Sequence, residues 1–362
     1  MKQHLFGISL AMLLALSSPL LAEDIIDIYD KAQSGDSQAQ CELGERYLRG
    51  QGVQQDSTKA RQWLEKAAAQ GHERASFLLD TLEPTAPTAA PTPAPAAAPS
   101  ANTAEELYQK ALHCDDPVKA AGLFLLAAKQ GHAGAQFHLG LCYQNGLGVL
   151  QSYEEAVKWF KLSADQGYAL AQNDLGVCYQ NGLGVSQSYK EAVKWYKLAA
   201  DQGYALAQFN LGACYLEGKG VPQSYEEAFN LFKHAAEQGL AIAQYNLGSC
   251  YYNGQGVPQN FTEAVKCFKL AAEQGDAMAQ FELGLCYGNG EGVQQSYEEA
   301  VKWFKLAADQ GLAMAQYSLG LCYIEGIGVN ENRAEGVQLL RQAYKNGISE
   351  AAEVLKDLGE IP

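Results

Sequence analysis

An all-α fold, an α/α solenoid of stacked helix-turn-helix units, follows from three features of the sequence. A Leu-Gly dipeptide returns every 36 residues, apolar residues within each copy fall at helical spacing, and a pair of glycines closes the first half of each copy. The dipeptide stands at Leu139-Gly140, Leu175-Gly176, Leu211-Gly212, Leu247-Gly248, Leu283-Gly284 and Leu319-Gly320. Six full copies run without slippage from 131 to 346, and a seventh stands apart at 35–70 with Leu43-Gly44 in the matching place. A repeat of this length is one supersecondary unit that cannot bury its apolar face alone, so copies must stack.

The copy at 167–202 shows each element in turn. Ala169, Ala171, Leu175, Cys178 and Tyr179 mark the buried face of a first helix. Gly182 and Gly184 end it, because glycine tolerates the left-handed conformation of a helix stop, and Val185 anchors the loop. Ser188 with Glu191 three residues on is the pattern of a capping box opening the second helix. It recurs as Ser152/Glu155, Ser224/Glu227, Asn260/Glu263 and Ser296/Glu299. Ala192, Trp195, Tyr196, Leu198 and Ala199 are expected on the apolar side of that helix, and Gln202-Gly203 turns into the next copy. Trp159, Trp195 and Trp303, with Leu231 and Leu339 at the same place, are expected to fill between layers rather than to line a cofactor box.

The pattern AQ-x-x-LG-x-C-Y-x-x-G-x-GV-x-Q-x-x-x-x-A-x-x-W-x-x-x-AA-x-QG closely resembles the Sel1-like repeat, a relative of the tetratricopeptide repeat. The resemblance extends over nearly all of the chain outside its leader and linker. It implies an α/α superhelix that acts as a protein-binding adaptor. Members of that family occur in bacterial envelope signalling, in host interaction and in eukaryotic protein-degradation complexes.

Four segments are expected. Residues 1–22 read as a secretory signal: Lys2 leads, Leu5 to Leu16 form a short apolar core, and Leu20-Leu21-Ala22 resembles a cleavage site. That core is too short to span a bilayer, no cysteine follows to carry a lipid, and no other stretch is apolar enough for an integral membrane span. The protein is therefore expected to be exported, to the bacterial periplasm or beyond. Residues 23–82 form an N-terminal module with one full repeat. Residues 83–102 are a Pro/Ala-rich linker, and 103–362 hold the main array, with degenerate units capping its ends. About three repeats are usually needed for stability, so the small module is expected to be marginal alone, to dock on the array, or to pair with another chain. Acids outnumber bases 41 to 26, for a net charge of −15, which excludes a nucleic-acid binder in need of a basic face. The sequence does not specify an oligomeric state.

Nine cysteines in an exported chain raise the question of disulfides. Cys142, Cys178, Cys214, Cys250, Cys286 and Cys322 share one place in successive first helices. Packed helix axes lie about 8–10 Å apart, whereas a bridge needs Cα atoms within about 7 Å. Buried thiols are therefore expected, with Cys250 and Cys267 the one pair able to bridge. The resemblance points to cysteine-rich relatives that bridge the end of one unit to the start of the next, and alanine and glutamine stand at those places here. No Cys-x-x-Cys suggests zinc. No Gly-x-Ser-x-Gly, Ser-x-x-Lys or His-Glu-x-x-His suggests catalysis. The reading is a non-enzymatic scaffold without catalytic residues, metal or cofactor. The alternative is an envelope hydrolase or penicillin binder like the cysteine-rich relatives.

The positions that differ between copies locate a candidate site. In the first helix these are the fourth, seventh, eighth, eleventh, fourteenth and fifteenth places, which helical spacing gathers on adjoining stripes. Alignment with the tetratricopeptide pattern puts them toward a concave groove. Asn173, Gln180, Asn181, Phe209, Leu216, Glu217, Tyr245, Tyr252, Asn253 and Phe281 are the residues expected to bind a protein or peptide partner, exposed aromatics being favoured at interfaces.

Overall fold

In the computed structural model the described residues are 28, 31–32, 34–49, 56–82 and 103–360. The expected signal segment and the linker lie outside them. Among the described residues are eighteen α-helices and no strand. The chain divides into two compact units, 1–156 and 157–362.

The first unit holds α1 (Ser37–Arg49), α2 (Ser57–Ala68), α3 (Glu73–Leu82), α4 (Ala104–Leu112), α5 (Pro117–Lys129), α6 (Ala133–Asn145) and the start of α7 (Tyr153–Asp165). Asp56 caps α2 and Asp116 caps α5, each accepting two backbone N–H groups. The Thr103 hydroxyl and the Glu106 carboxylate form a complete capping box at α4. Cys41, Leu48, Leu64, Ala75 and Leu78 form the core of α1–α3, and Leu150, from the loop after α6, packs against it. The small module thus does not bury its core alone.

The second unit continues with α8 (Ala169–Asn181), α9 (Tyr189–Asp201), α10 (Ala205–Glu217), α11 (Tyr225–Glu237), α12 (Ala241–Asn253) and α13 (Phe261–Glu273). Then come α14 (Ala277–Asn289), α15 (Tyr297–Asp309), α16 (Ala313–Glu325), α17 (Arg333–Lys345) and α18 (Glu350–Asp357). Each core layer joins the second helix of one copy to the first helix of the next: α9 with α10, α11 with α12, α13 with α14, and α15 with α16. Leu231 of α11 leans on the α9/α10 layer and Trp303 of α15 on the α13/α14 layer, while Trp159, Trp195 and Leu339 are buried. These side chains fill between layers, as expected. At about 1.5–3 kcal/mol for each fully buried large apolar side chain, stacking supplies what an isolated helix pair lacks.

The recurring motif letters have physical reasons. The Leu-Gly glycine lets first and second helices meet: a Cβ at Gly248 would fall 2.7 Å from the ring of Phe268, which is almost fully buried. Tyr196, Phe232 and Phe268 occupy this place in successive second helices and are among the largest fully buried side chains. In the loop, Gly256 sits at φ +75°, and a Cβ there would collide with the Tyr225 carbonyl of the preceding copy, so a side chain is excluded by both conformation and space. The Ala-Gln and Asp/Glu-Gln-Gly letters form a clamp. Gln244 Nε2 donates to the Ala236 carbonyl at 3.3 Å, and Gln274 Nε2 donates to Gln244 Oε1 at 2.7 Å. The same pair of bonds recurs at Gln172/Gln202, Gln208/Gln238 and Gln280/Gln310.

Two expectations are corrected. Ser188, Ser224, Asn260 and Ser296 each accept the backbone N–H three residues on, so they cap the second helices. The reciprocal half of the box is replaced at three of them, where Glu191, Glu263 and Glu299 pair forward with Lys194, Lys266 and Lys302. A cation one turn along competes for the carboxylate. Leu198 is not on the buried side: it is 42% exposed, because the stripe through Ala192, Trp195, Tyr196 and Ala199 already fills the contact.

Candidate protein-binding face

The first helices present the varying residues, and the structure sorts them by depth. Asn181, Glu217 and Asn253 are exposed; Gln180, Phe209, Leu216, Tyr245 and Tyr252 are half-buried; Asn173 and Phe281 are buried. The expectation of a freely exposed aromatic row therefore needs correction. Phe209, Tyr245 and Phe281 lean on the buried rings of Phe232, Phe268 and Phe304 of their own copies, with centroids 5.8, 5.9 and 5.7 Å apart. Phe281 belongs to the core, while Phe209 and Tyr245 lie partly in the core and partly face out. Burial pushes the Tyr245 phenol above its ordinary value, as low-dielectric surroundings disfavour phenolate.

Asn173 interrupts this row with a polar relay. Asn210 Nδ2 donates to Asn173 Oδ1 at 2.9 Å, and Asn173 Nδ2 donates to Asp174 Oδ1 at 3.0 Å. The bond joins α8 to α10 across copies and satisfies a buried amide. Burial raises the Asp174 carboxyl above its usual range, and the Asn173 bond opposes the rise. At the fourteenth place, Gln180 Oε1 accepts the Tyr196 hydroxyl at 2.9 Å, and Tyr252 Oη donates to Glu291 Oε2 of the next loop at 2.8 Å. Burial first, and then this bond, raise the Tyr252 phenol. The outer asparagines fold back: Asn181 and Asn253 donate to the carbonyls of Val177 and Ser249. The most open apolar side chains on this face are Leu206 and Ile242, at the fourth place. Sequence variation flagged that place, but without aromatic character it carried no weight.

All nine cysteines are free thiols. Cys250 and Cys267 lie in one core cluster without a bridge. Desolvation pushes Cys142, Cys214, Cys250 and Cys267 up to about 11, and Cys41, Cys178 and Cys286 up to about 12. These seven are held in the protonated form at neutral pH, as buried thiols in apolar surroundings are. No group of three or more His, Cys, Asp or Glu among the described residues is placed to hold a metal. No helix among them is long and apolar enough to cross a membrane.

The Sel1 repeat family model matches residues 37–72, 115–132 and six contiguous segments from 133 to 348. The chain belongs to the Sel1 repeat family. A solved protective antigen of uropathogenic Escherichia coli strains, with an SLR fold, is 31% identical, with a TM-score of 0.64 over 92% of this chain and 67% of that one. A Sel1 repeat protein from Oxalobacter formigenes is 33% identical, with a TM-score of 0.62 over 67% of this chain and 97% of that one. Among curated proteins, DAP3-binding cell death enhancer 1 of Rattus norvegicus is 48% identical over 52 residues. That match covers 14% of this chain and spans a tenth of the relative's length. Solenoids of this family are generally non-catalytic and typical of protein-interaction scaffolds.

Proposed function

We propose that this protein is a non-enzymatic exported scaffold that holds a partner protein or peptide along its first-helix face, in envelope signalling or host interaction. One observation carries the reading. The first helices repeat their alanines, Leu-Gly and cysteine, while other places, most of them half-buried or exposed, change from copy to copy among aromatic, amide, acidic and aliphatic side chains. Mixed aromatic and polar surface of this kind suits protein recognition. In the second unit α8, α10, α12, α14 and α16 carry acids at Asp174, Glu217, Glu282 and Glu325 and contain no lysine or arginine, so the face favours a partner segment with basic groups. Export rests on the apolar leader at 1–22. The likeness to a protective antigen of a pathogen supports a role outside the cytoplasm.

The test uses the full mature chain and two variants. Positive charge placed at exposed positions, Glu217→Lys with Asn253→Lys, is expected to leave melting nearly unchanged, since surface substitutions cost within about 0.5 kcal/mol. It is expected to weaken capture of basic peptides from a defined peptide array at least tenfold. Equal capture by wild type and variant overturns the assignment of the face. Fractionation of producing cells tests export, and retention in the cytoplasm overturns that part.

A further inference from the structure

The second helices carry a regular surface feature that the scaffold reading leaves unused. Leu162, Leu198, Leu270 and Leu306 occupy one place in α7, α9, α13 and α15, and they are 47, 42, 51 and 47% exposed. None belongs to a core cluster of the second unit. Folding does not require leucine there, because His234 and Gln342 hold the same place in α11 and α17 and are exposed as well. Single exposed leucines need no explanation, but apolar groups aligned along a surface mark an interaction site.

Charge defines what would cover them. Each leucine directly follows an exposed lysine: Lys161, Lys197, Lys269 and Lys305. A further lysine stands four residues before each leucine, on the same side of the helix: Lys158, Lys194, Lys266 and Lys302. Three of these outer lysines are held by glutamates of their own helix, Lys194 by Glu191, Lys266 by Glu263 and Lys302 by Glu299. Of the lysines beside the leucines, Lys269 meets Glu273 at 3.9 Å. The helix starts and ends are acidic, as at Glu298 and Asp309 in α15. The cationic, leucine-studded zone is therefore a strip across the helix middles, bordered by acid on both sides. A flat anionic membrane would press on those acidic borders, whereas a narrow partner would not.

We infer that this strip is a second docking surface, separate from the first-helix face, and that it takes an acidic amphipathic helix of a partner protein laid along the stack. Leu231 of α11 and Trp303 of α15 pack on the layers to which the preceding second helices belong, so the rungs follow one another along the stack, with His234 interrupting the leucines at α11. A partner helix with an apolar residue at every seventh position, about 10.5 Å apart, presents one apolar side to the leucine rungs. Its flanking carboxylates meet the lysines.

Two synthetic 21-residue helical peptides with leucine at every seventh position test this, one with glutamates beside the leucines and one with lysines. Their binding to the full mature chain is read by fluorescence anisotropy. The acidic peptide is expected to bind at least tenfold more tightly than the basic one, and to weaken as salt is raised from 50 to 300 mM. Leu198→Gln with Leu270→Gln imports the residue native to the α17 rung. It is expected to cost at least tenfold in affinity with an unchanged helical melting curve, while Glu217→Lys with Asn253→Lys leaves this affinity unchanged. No binding of the acidic peptide, equal binding of both peptides, or undiminished binding by the leucine variant overturns the inference. So does binding of phosphatidylglycerol vesicles in the absence of peptide binding.

Discussion

A cysteine in the middle of a packed layer behaves as a small apolar residue with a proton it is reluctant to give up. Cys178 and Cys286 are almost fully buried, and desolvation, aided by nearby acids, raises them from 9.0 to about 12. The consequence for stability has a definite sign. Between the ordinary thiol value and the raised one, the unfolded chain releases protons that the folded chain keeps, so alkali favours unfolding. The stabilisation these thiols provide is complete below about pH 9 and is lost as pH rises toward 11 and 12. The midpoint of urea unfolding is therefore expected to fall steeply between pH 9 and 11. Cys178→Ala with Cys286→Ala should flatten that slope, whatever it does to the midpoint at pH 7. An unchanged slope in the double variant would show that the thiols are not the groups responsible. The shared place of the six cysteines was enough to read them as unbridged. The Cys250–Cys267 alternative was open because Cys267 stands where other copies have tryptophan, and only the geometry of the layer closed it.

At the scale of the element, the helix pair was legible because its signals are local: caps, glycine stops and apolar spacing all act within a few residues. Contacts reaching into the next copy were not. The Ala-Gln letters read as part of a resemblance, yet Gln244 ties α12 to the end of α11 and receives Gln274 from the end of α13. Position 198 was misplaced because a helical wheel does not show where a neighbouring helix stops covering the surface. The seventh-place residues were read as exposed because they vary, whereas they vary partly to fit what lies beneath: Phe209 leans on Phe232, while Asn173 bonds Asn210. The clamp makes a quantitative claim. Gln244→Ala removes one of two bonds to the Ala236 carbonyl, which the Gly239 N–H still meets, and one of two made by the exposed Gln274 amide, so the expected cost is that of ordinary hydrogen bonds, about 0.5–1.5 kcal/mol each. Adding Gln274→Ala should cost far less than it does alone, with a coupling of about 0.5–3 kcal/mol in a double-mutant cycle. Strict additivity would mean that the two side chains act separately.

For the molecule as a whole, a stack of like units stores its stability in each unit and in each interface between neighbours. Its ends are the weak points, since a terminal unit has one interface instead of two. In the second unit α18 closes the C-terminal end: Ala351 and Leu355 pack on Val337, Leu340 and Ala343 of α17, while Glu350, Glu353 and Asp357 face outward on the same short helix. It shares no layer with α9–α14. Truncation after Asn346 removes this cover and leaves Leu340, now fully buried, open to water. If stability is distributed by nearest neighbours, amide hydrogen exchange should accelerate strongly in α17, less in α16, and not measurably in α9–α12. An all-or-none structure would instead lose protection by the same factor everywhere. Uniform acceleration along α9–α17 would show that the repeats fold as one cooperative block, despite the interchangeable units of the sequence.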